Sequence, residues 1–253
     1  FWLKPCQFGS QTNTAFCCSP SQLSARLSCR MARTAEPLDA YWDEGYESGA
    51  APEEWYCDHE TLKTALSWAF GPVDVDAAAQ QAARPSTVTA VVATTAMAPP
   101  LLLSVGCGRS ALFSGWADAR VAQVVAIDNS LPALRGRGVS AVEMLAADAF
   151  RLPCRDSTFD GAVDKGTIDW VVLSLIIAED RNERLAALRA EFLRVLHPGG
   201  RLVVVNGLGG TDEDPLGFLT EDTGEAAWDS VATRRLEGLA QNYRCHRLVR
   251  GSG

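Results

Sequence analysis

Two segments decide the fold: Leu101-Leu102-Leu103-Ser104-Val105-Gly106-Cys107-Gly108-Arg109-Ser110, and Val121-Ala122-Gln123-Val124-Val125-Ala126-Ile127-Asp128. Each opens on a short apolar run without alternation, the pattern of a parallel strand covered on both faces. The first run breaks into a glycine turn and the second ends in a carboxylate. Gly106 and Asp128 are 22 residues apart. That spacing suits a glycine turn at the end of one strand and an acid at the tip of its parallel neighbour, where an ionised acceptor reaches both hydroxyls of a ribose. Gly106-x-Gly108-x-x-Ala111 also fits the dinucleotide fingerprint, so a nicotinamide-dependent dehydrogenase stays open here. A tight turn with no ligand is the bland alternative.

Downstream the pattern repeats. Val142 to Leu145 reads as a third strand, followed by Asp148-Ala149, Leu152-Pro153 and Ser157 to Asp160. Gly161-Ala162-Val163-Asp164 reads as a fourth and runs into Lys165-Gly166-Thr167-Ile168-Asp169-Trp170. Asp180 to Leu196 places Leu185, Leu188, Phe192, Val195 and Leu196 at helical spacing, and His197-Pro198-Gly199-Gly200 ends that helix. Arg201 to Asn206 makes a fifth strand. Trp228 to Leu236 and Tyr243 to Val249 make a terminal pair. Five alternating units and a hairpin are too few for a second dinucleotide-binding half, which counts against the dehydrogenase.

In this order the motifs resemble the seven-stranded, Class I methyltransferases that use S-adenosylmethionine. The resemblance spans roughly residues 41 to 250 and rests on Val105 to Ser110, Ile127 to Ser130, Ala147-Asp148 with Leu152-Pro153 and Ser157 to Asp160, and Leu196 to Arg201. It implies an α/β, doubly wound, mostly parallel seven-stranded sheet of Rossmann-like type with a C-terminal antiparallel hairpin. Two narrower segments, Tyr41 to Tyr46 with Glu54-Trp55-Tyr56, and Asp164 to Asp169, are similar to the lysine methyltransferases acting on elongation factor 1A and on citrate synthase. Arg109 stands where that group commonly has Asn, and Glu53 where it has an aromatic. On the residues alone, the aromatics also read as core packing and Asp164 to Asp169 as a solvated helix cap.

The resemblance implies S-adenosylmethionine as cofactor. Gly106, Cys107 and Gly108 lie against it, Asp128 and Asn129 at the ribose, Asp148 and Ala149 at the adenine, and Trp42, Tyr46 and Lys165 close the pocket. No metal is expected. Asp164 and Asp169 are the candidates for orienting an incoming ammonium or helping to remove its proton. A lysine of a basic protein is the expected acceptor, with two alternatives: a small-molecule acceptor, or a degenerate fold serving as an interaction subunit.

Composition bounds this reading. The 253 residues carry 31 acidic and 23 basic side chains, a net charge of −8. That argues against a nucleic-acid partner held through its phosphates and suits a basic one. No apolar run nears the roughly 20 residues that cross a bilayer, so no membrane association is expected. Residues 1–30 contain no Asp or Glu but hold Lys4, Arg26 and Arg30, leaving −11 for the rest; they also contain four of the eight cysteines. Two readings of this stretch are open, a transit peptide or translated upstream sequence, with Met31 as first methionine. A transit peptide implies mitochondria or plastids; otherwise the cytoplasm is expected, in keeping with scattered, reduced cysteines. The Ala-, Val- and Thr-rich stretch from Pro72 to Pro100 reads as an insertion, so residues 31–253 form one methyltransferase domain.

Overall fold

Strand β1 (Leu101–Val105) has four of its five side chains buried, and its immediate neighbours dictate everything around it. β2 (Gln123–Asp128) lies parallel on one side and β4 (Phe159–Lys165) parallel on the other. Beyond them come β3 (Val142–Ala146), β5 (Leu196–Asn206), β6 (Trp228–Arg235) and β7 (Arg244–Arg250), in the spatial order β3-β2-β1-β4-β5-β7-β6. Only β7 runs antiparallel to its neighbours. The chain leaves β1 toward β2 on one side and returns to β4 on the other, so a crevice opens above the C-terminal ends of β1 and β4, where doubly wound sheets bind ligands. This computed structural model describes residues 38–57, 59–70, 99–114, 117, 122–135, 142–175, 178–207, 216–220, 228–236 and 243–252. The leader reading at 1–30 and nearly all of the insertion reading lie outside the described residues.

Alternation along the strands feeds two cores. Leu103, Val105, Ala162, Leu202 and Val204 face a layer containing α4 (Thr167–Ser174) and α5 (Arg181–Val195), where Leu185, Leu188 and Phe192 meet them. Leu102, Val163, Val203 and Val205 point the other way, against Leu62, Leu66 and Ala69 of α2 (His59–Phe70). Each fully buried side chain of this kind contributes about 1.5–3 kcal/mol. Helices α1 (Leu38–Glu47), α3 (Leu131–Leu134) and α6 (Gly217–Thr220) complete the described elements.

One boundary differs from the sequence expectation. The fifth strand begins not at Arg201 but directly at Leu196, where α5 ends. Leu196 pairs with Phe159, and the register then shifts so that Arg201 faces Gly161. His197-Pro198-Gly199-Gly200 is therefore a bulge inside the strand, with Gly199 at φ 78. Leu196, fully buried, anchors the strand before the bulge.

Candidate active site

The crevice holds a cleft of about 250 Å³. Its floor is the glycine turn. Gly106 and Gly108 both have positive φ, 58 and 50. A Cβ on Gly106 would sit 1.8 Å from Thr167 Oγ1, and one on Gly108 would sit 2.4 Å from the Tyr46 hydroxyl. Neither position tolerates a side chain, so the turn stays open to a ligand. Asp128 braces it: Gly108 N–H donates to its Oδ2 at 2.7 Å and Ser130 N–H to its Oδ1 at 2.9 Å. Each carboxylate oxygen can accept a second hydrogen bond, so Asp128 can hold the loop and take ribose hydroxyls together. Cys107 is buried in the turn, its N–H bonded to Ile127 O at 2.9 Å. Asn129 is exposed beyond β2, while Asp148 forms a local turn by accepting from Phe150 N–H at 2.9 Å, with Ala149 between them. All of these line one cleft.

A lid faces the floor. It consists of α1 and the loop through Cys57, pinned at five places far apart in sequence. Asp43 accepts from the Ser130 hydroxyl at 2.6 Å. Arg109 donates to Tyr46 O at 2.9 Å and so fastens the lid. Glu54 binds the Ser110 hydroxyl, Ala111 N–H at 2.8 Å and Lys165 Nζ at 2.8 Å. Lys165 also donates to Trp55 O at 2.9 Å. The Tyr56 hydroxyl donates to Asp169 at 2.5 Å. Lys165 thus lines the pocket as expected, but its ammonium is engaged by Glu54, a partner that sequence reasoning missed. Charges 111 positions apart leave no periodic signal.

Tyr46 and Tyr56 of the lid pack against the core, whereas its indoles pack on one another and on α4. Trp42 lies 5.3 Å from Trp55 and 5.0 Å from Trp170, ring centre to ring centre, and Tyr41 stacks on Trp170 at 4.9 Å. Trp42, Trp55 and Trp170 line the cleft, and Glu53 reaches its edge. Aromatic faces beside a cationic ligand have an electrostatic rationale.

The two candidate carboxylates have separate fates. Both are buried, so Asp164 to Asp169 is not a solvated cap. Asp164 lies outside the cleft lining; its oxygens accept from Ile168 N–H at 3.2 Å and cap the first turn of α4. Burial pushes its carboxyl up to about 8, against backbone hydrogen bonds that lower it. It cannot orient a substrate from there. Asp169 lines the cleft. Its Oδ2 accepts from Tyr56 and from Gly207 N–H at 2.7 Å, while its buried Oδ1 has no hydrogen-bond partner among the described residues. Burial raises this carboxyl to about 6, with the Gly207 and Tyr56 hydrogen bonds pulling it down. Among the described residues no cluster could hold a metal ion, and no helix is long and apolar enough to cross a membrane.

The residues of the cleft suit S-adenosylmethionine: a carboxylate at the tip of β2 for the diol, a turn no Cβ can fill, and an aromatic wall for a sulfonium. Residues 103–204 match the family profile described as a methyltransferase domain. No curated protein matches the chain. Among solved structures it is similar to a SAM-dependent methyltransferase of Methanosarcina mazei, at 18% identity and TM-score 0.44, covering 61% of this chain and 93% of that one. It is also similar to the N-methyltransferase NodS of Bradyrhizobium japonicum, at 18% identity and TM-score 0.45, covering 62% and 88%. The domain match and the cleft identify an S-adenosylmethionine-dependent methyltransferase.

Proposed function

We propose that the methyl acceptor is the side-chain amine of a lysine in a basic protein. The observation that carries this is Asp169, which lines the cleft together with Trp42, Trp55 and Trp170 and whose buried Oδ1 has no hydrogen-bond partner among the described residues. A single hydrogen-bond acceptor in an aromatic slot suits a cationic head on an apolar stem, since the rings pack on methylenes and the oxygen takes one N–H.

Bound S-adenosylmethionine supplies an electrophilic methyl group on a cationic sulfur. Asp128 and the glycine turn hold it, with Trp42 and Tyr46 above. The acceptor ammonium, with an ordinary pKa of about 10.4, must first lose a proton. Desolvation between the three indoles favours the neutral amine, and Asp169 orients it by accepting an N–H. Tyr41, 38% exposed and stacked on Trp170, carries the aromatic wall out to the surface, where a polypeptide would approach. The net charge of −8 suits a basic partner, in the cytoplasm on this reading.

The test incubates the full chain with isotopically labelled cofactor and whole-cell extract, followed by mass spectrometry. Label in methyl-lysine of a protein is the expected result. Label confined to small molecules overturns the proposal.

A further inference from the structure

Tyr56 occupies a backbone conformation that its side chain does not favour. Its φ is 63, and Cys57 N–H donates to Trp55 O at 2.7 Å, closing a three-residue γ-turn about it. The positive-φ form of that turn is rare and strained, and such strain persists where the surroundings over-determine it. Here the surroundings are specific. The Tyr56 ring covers Gly166, where a Cβ would come within 3.0 Å, and Gly207, where one would come within 3.2 Å. It packs on Tyr243 at 4.8 Å. The ring is thereby wedged over the ends of β4 and β5, and its hydroxyl reaches α4.

Both donors at this point go to one atom. The Tyr56 hydroxyl and Gly207 N–H converge on Asp169 Oδ2 and leave the buried Oδ1 of this cleft-lining residue unpaired among the described residues. The geometry points to Tyr56 as a positioning residue, which holds Asp169 ionised and turned so that Oδ1 meets an N–H of the acceptor amine; this rests on the lysine reading above.

The electrostatics agree with that role. Among the described residues, the titratable groups facing Asp169 are Tyr56 from the lid and Asp164 from the end of β4; Tyr243, ahead of β7, packs on Tyr56, and Lys165, next to Asp164, is engaged by Glu54. Tyr56 is raised well above its ordinary value, first by burial and then by Asp169, so it remains a donor through neutral pH. Burial lifts Asp169 to about 6, and its two hydrogen bonds keep it from rising further. Removing the phenolic donor disfavours the carboxylate.

Tyr56→Phe keeps the ring over both glycines and deletes only the donor. With labelled cofactor and cell extract, and methyl-lysine counted after protein hydrolysis, the acid limb of the pH–rate profile moves up by about one pH unit. The rate near pH 6 falls several-fold, the deficit shrinks above pH 8, and cofactor affinity by calorimetry stays within about twofold. Asp169→Asn removes the limb, and adding Tyr56→Phe to it shifts nothing further. A Tyr56→Phe loss equal at every pH, or an unshifted limb, overturns the inference. Absence of methyl-lysine with the unaltered enzyme sinks the lysine reading instead. Carbon-13 NMR titration of the Asp169 carboxyl then decides the Tyr56 role alone: an upward shift in Tyr56→Phe supports it, and an unchanged midpoint overturns it.

Discussion

The floor and the lid of the cleft are built on different length scales. On the floor, Gly108 reaches Asp128 across 20 positions and Ser130 reaches it across two. In the lid, Glu54 meets Ser110 across 56 positions and Lys165 across 111, Ser130 meets Asp43 across 87, and Tyr56 meets Asp169 across 113. The floor follows from one strand-turn-strand unit, so local chain geometry pre-forms it. The lid exists only once the N-terminal helix has docked on a finished sheet. Its closure is therefore the less stable of the two, since it must offset the ordering of about 20 residues with a few polar pins and an aromatic cluster.

The floor breaks most completely at Asp128. Asp128→Ala removes two hydrogen bonds to a carboxylate acceptor, each contributing about 1.5–3 kcal/mol, and would remove the acceptor proposed for the ribose. Calorimetry is expected to show cofactor affinity reduced at least about 100-fold; a change under tenfold would mean that the glycine turn stands without its brace. The lid is tested at Glu54. Glu54→Gln leaves the Lys165 ammonium, 7% exposed, without a counter-charge, at a cost of about 1–3 kcal/mol. Hydrogen exchange is expected to accelerate at residues 48–57 and to stay unchanged in β1 and β2. Equal acceleration in both would erase the distinction between floor and lid.

The smallest effect concerns Asp164, beneath both. Its folded-state pKa of about 8 lies above the ordinary carboxylate range. Between about pH 4 and pH 8 the folded chain keeps a proton that the unfolded chain has lost, so this group's contribution is full in acid and fades as pH rises, by at most about 1.4 kcal/mol per pH unit. Asp164→Asn, which resembles the protonated acid and can still accept from Ile168 N–H, flattens that slope in urea unfolding measured across the range. An unchanged slope would show that Asp164 is ionised when folded.

Legibility followed the same division. Strand positions, the helix at Arg181–Val195 and the terminal hairpin could be read from apolar periodicity, because burial on a sheet face imposes it directly. The strand start at Leu196 could not, since Pro198 and Gly199 are breakers by propensity, and only pairing with Phe159 carries the strand across them. Asp164 and Asp169 looked equivalent as sequence, five positions apart, yet one caps α4 from beneath and the other lines the cleft. Asp164 ends strand β4 and Asp169 lies in the first turn of α4, so the strand-to-helix turn sends them to different sides, and nothing in their local sequence states which side is open.

By itself the sequence determined the sheet, the glycine turn with Asp128 at its neighbouring strand tip, and hence the methyltransferase class. Those depend on contacts within a few tens of residues and on periodic burial. The tertiary structure alone decided that Glu54 engages Lys165, that Arg109 fastens the lid, and that Tyr56 and Gly207 both donate to the same oxygen of Asp169. These partners meet only because the doubly wound topology brings the ends of β1, β4 and β5 to one crevice beneath α1, and side-chain pairing across more than fifty residues has no local chain geometry to announce it.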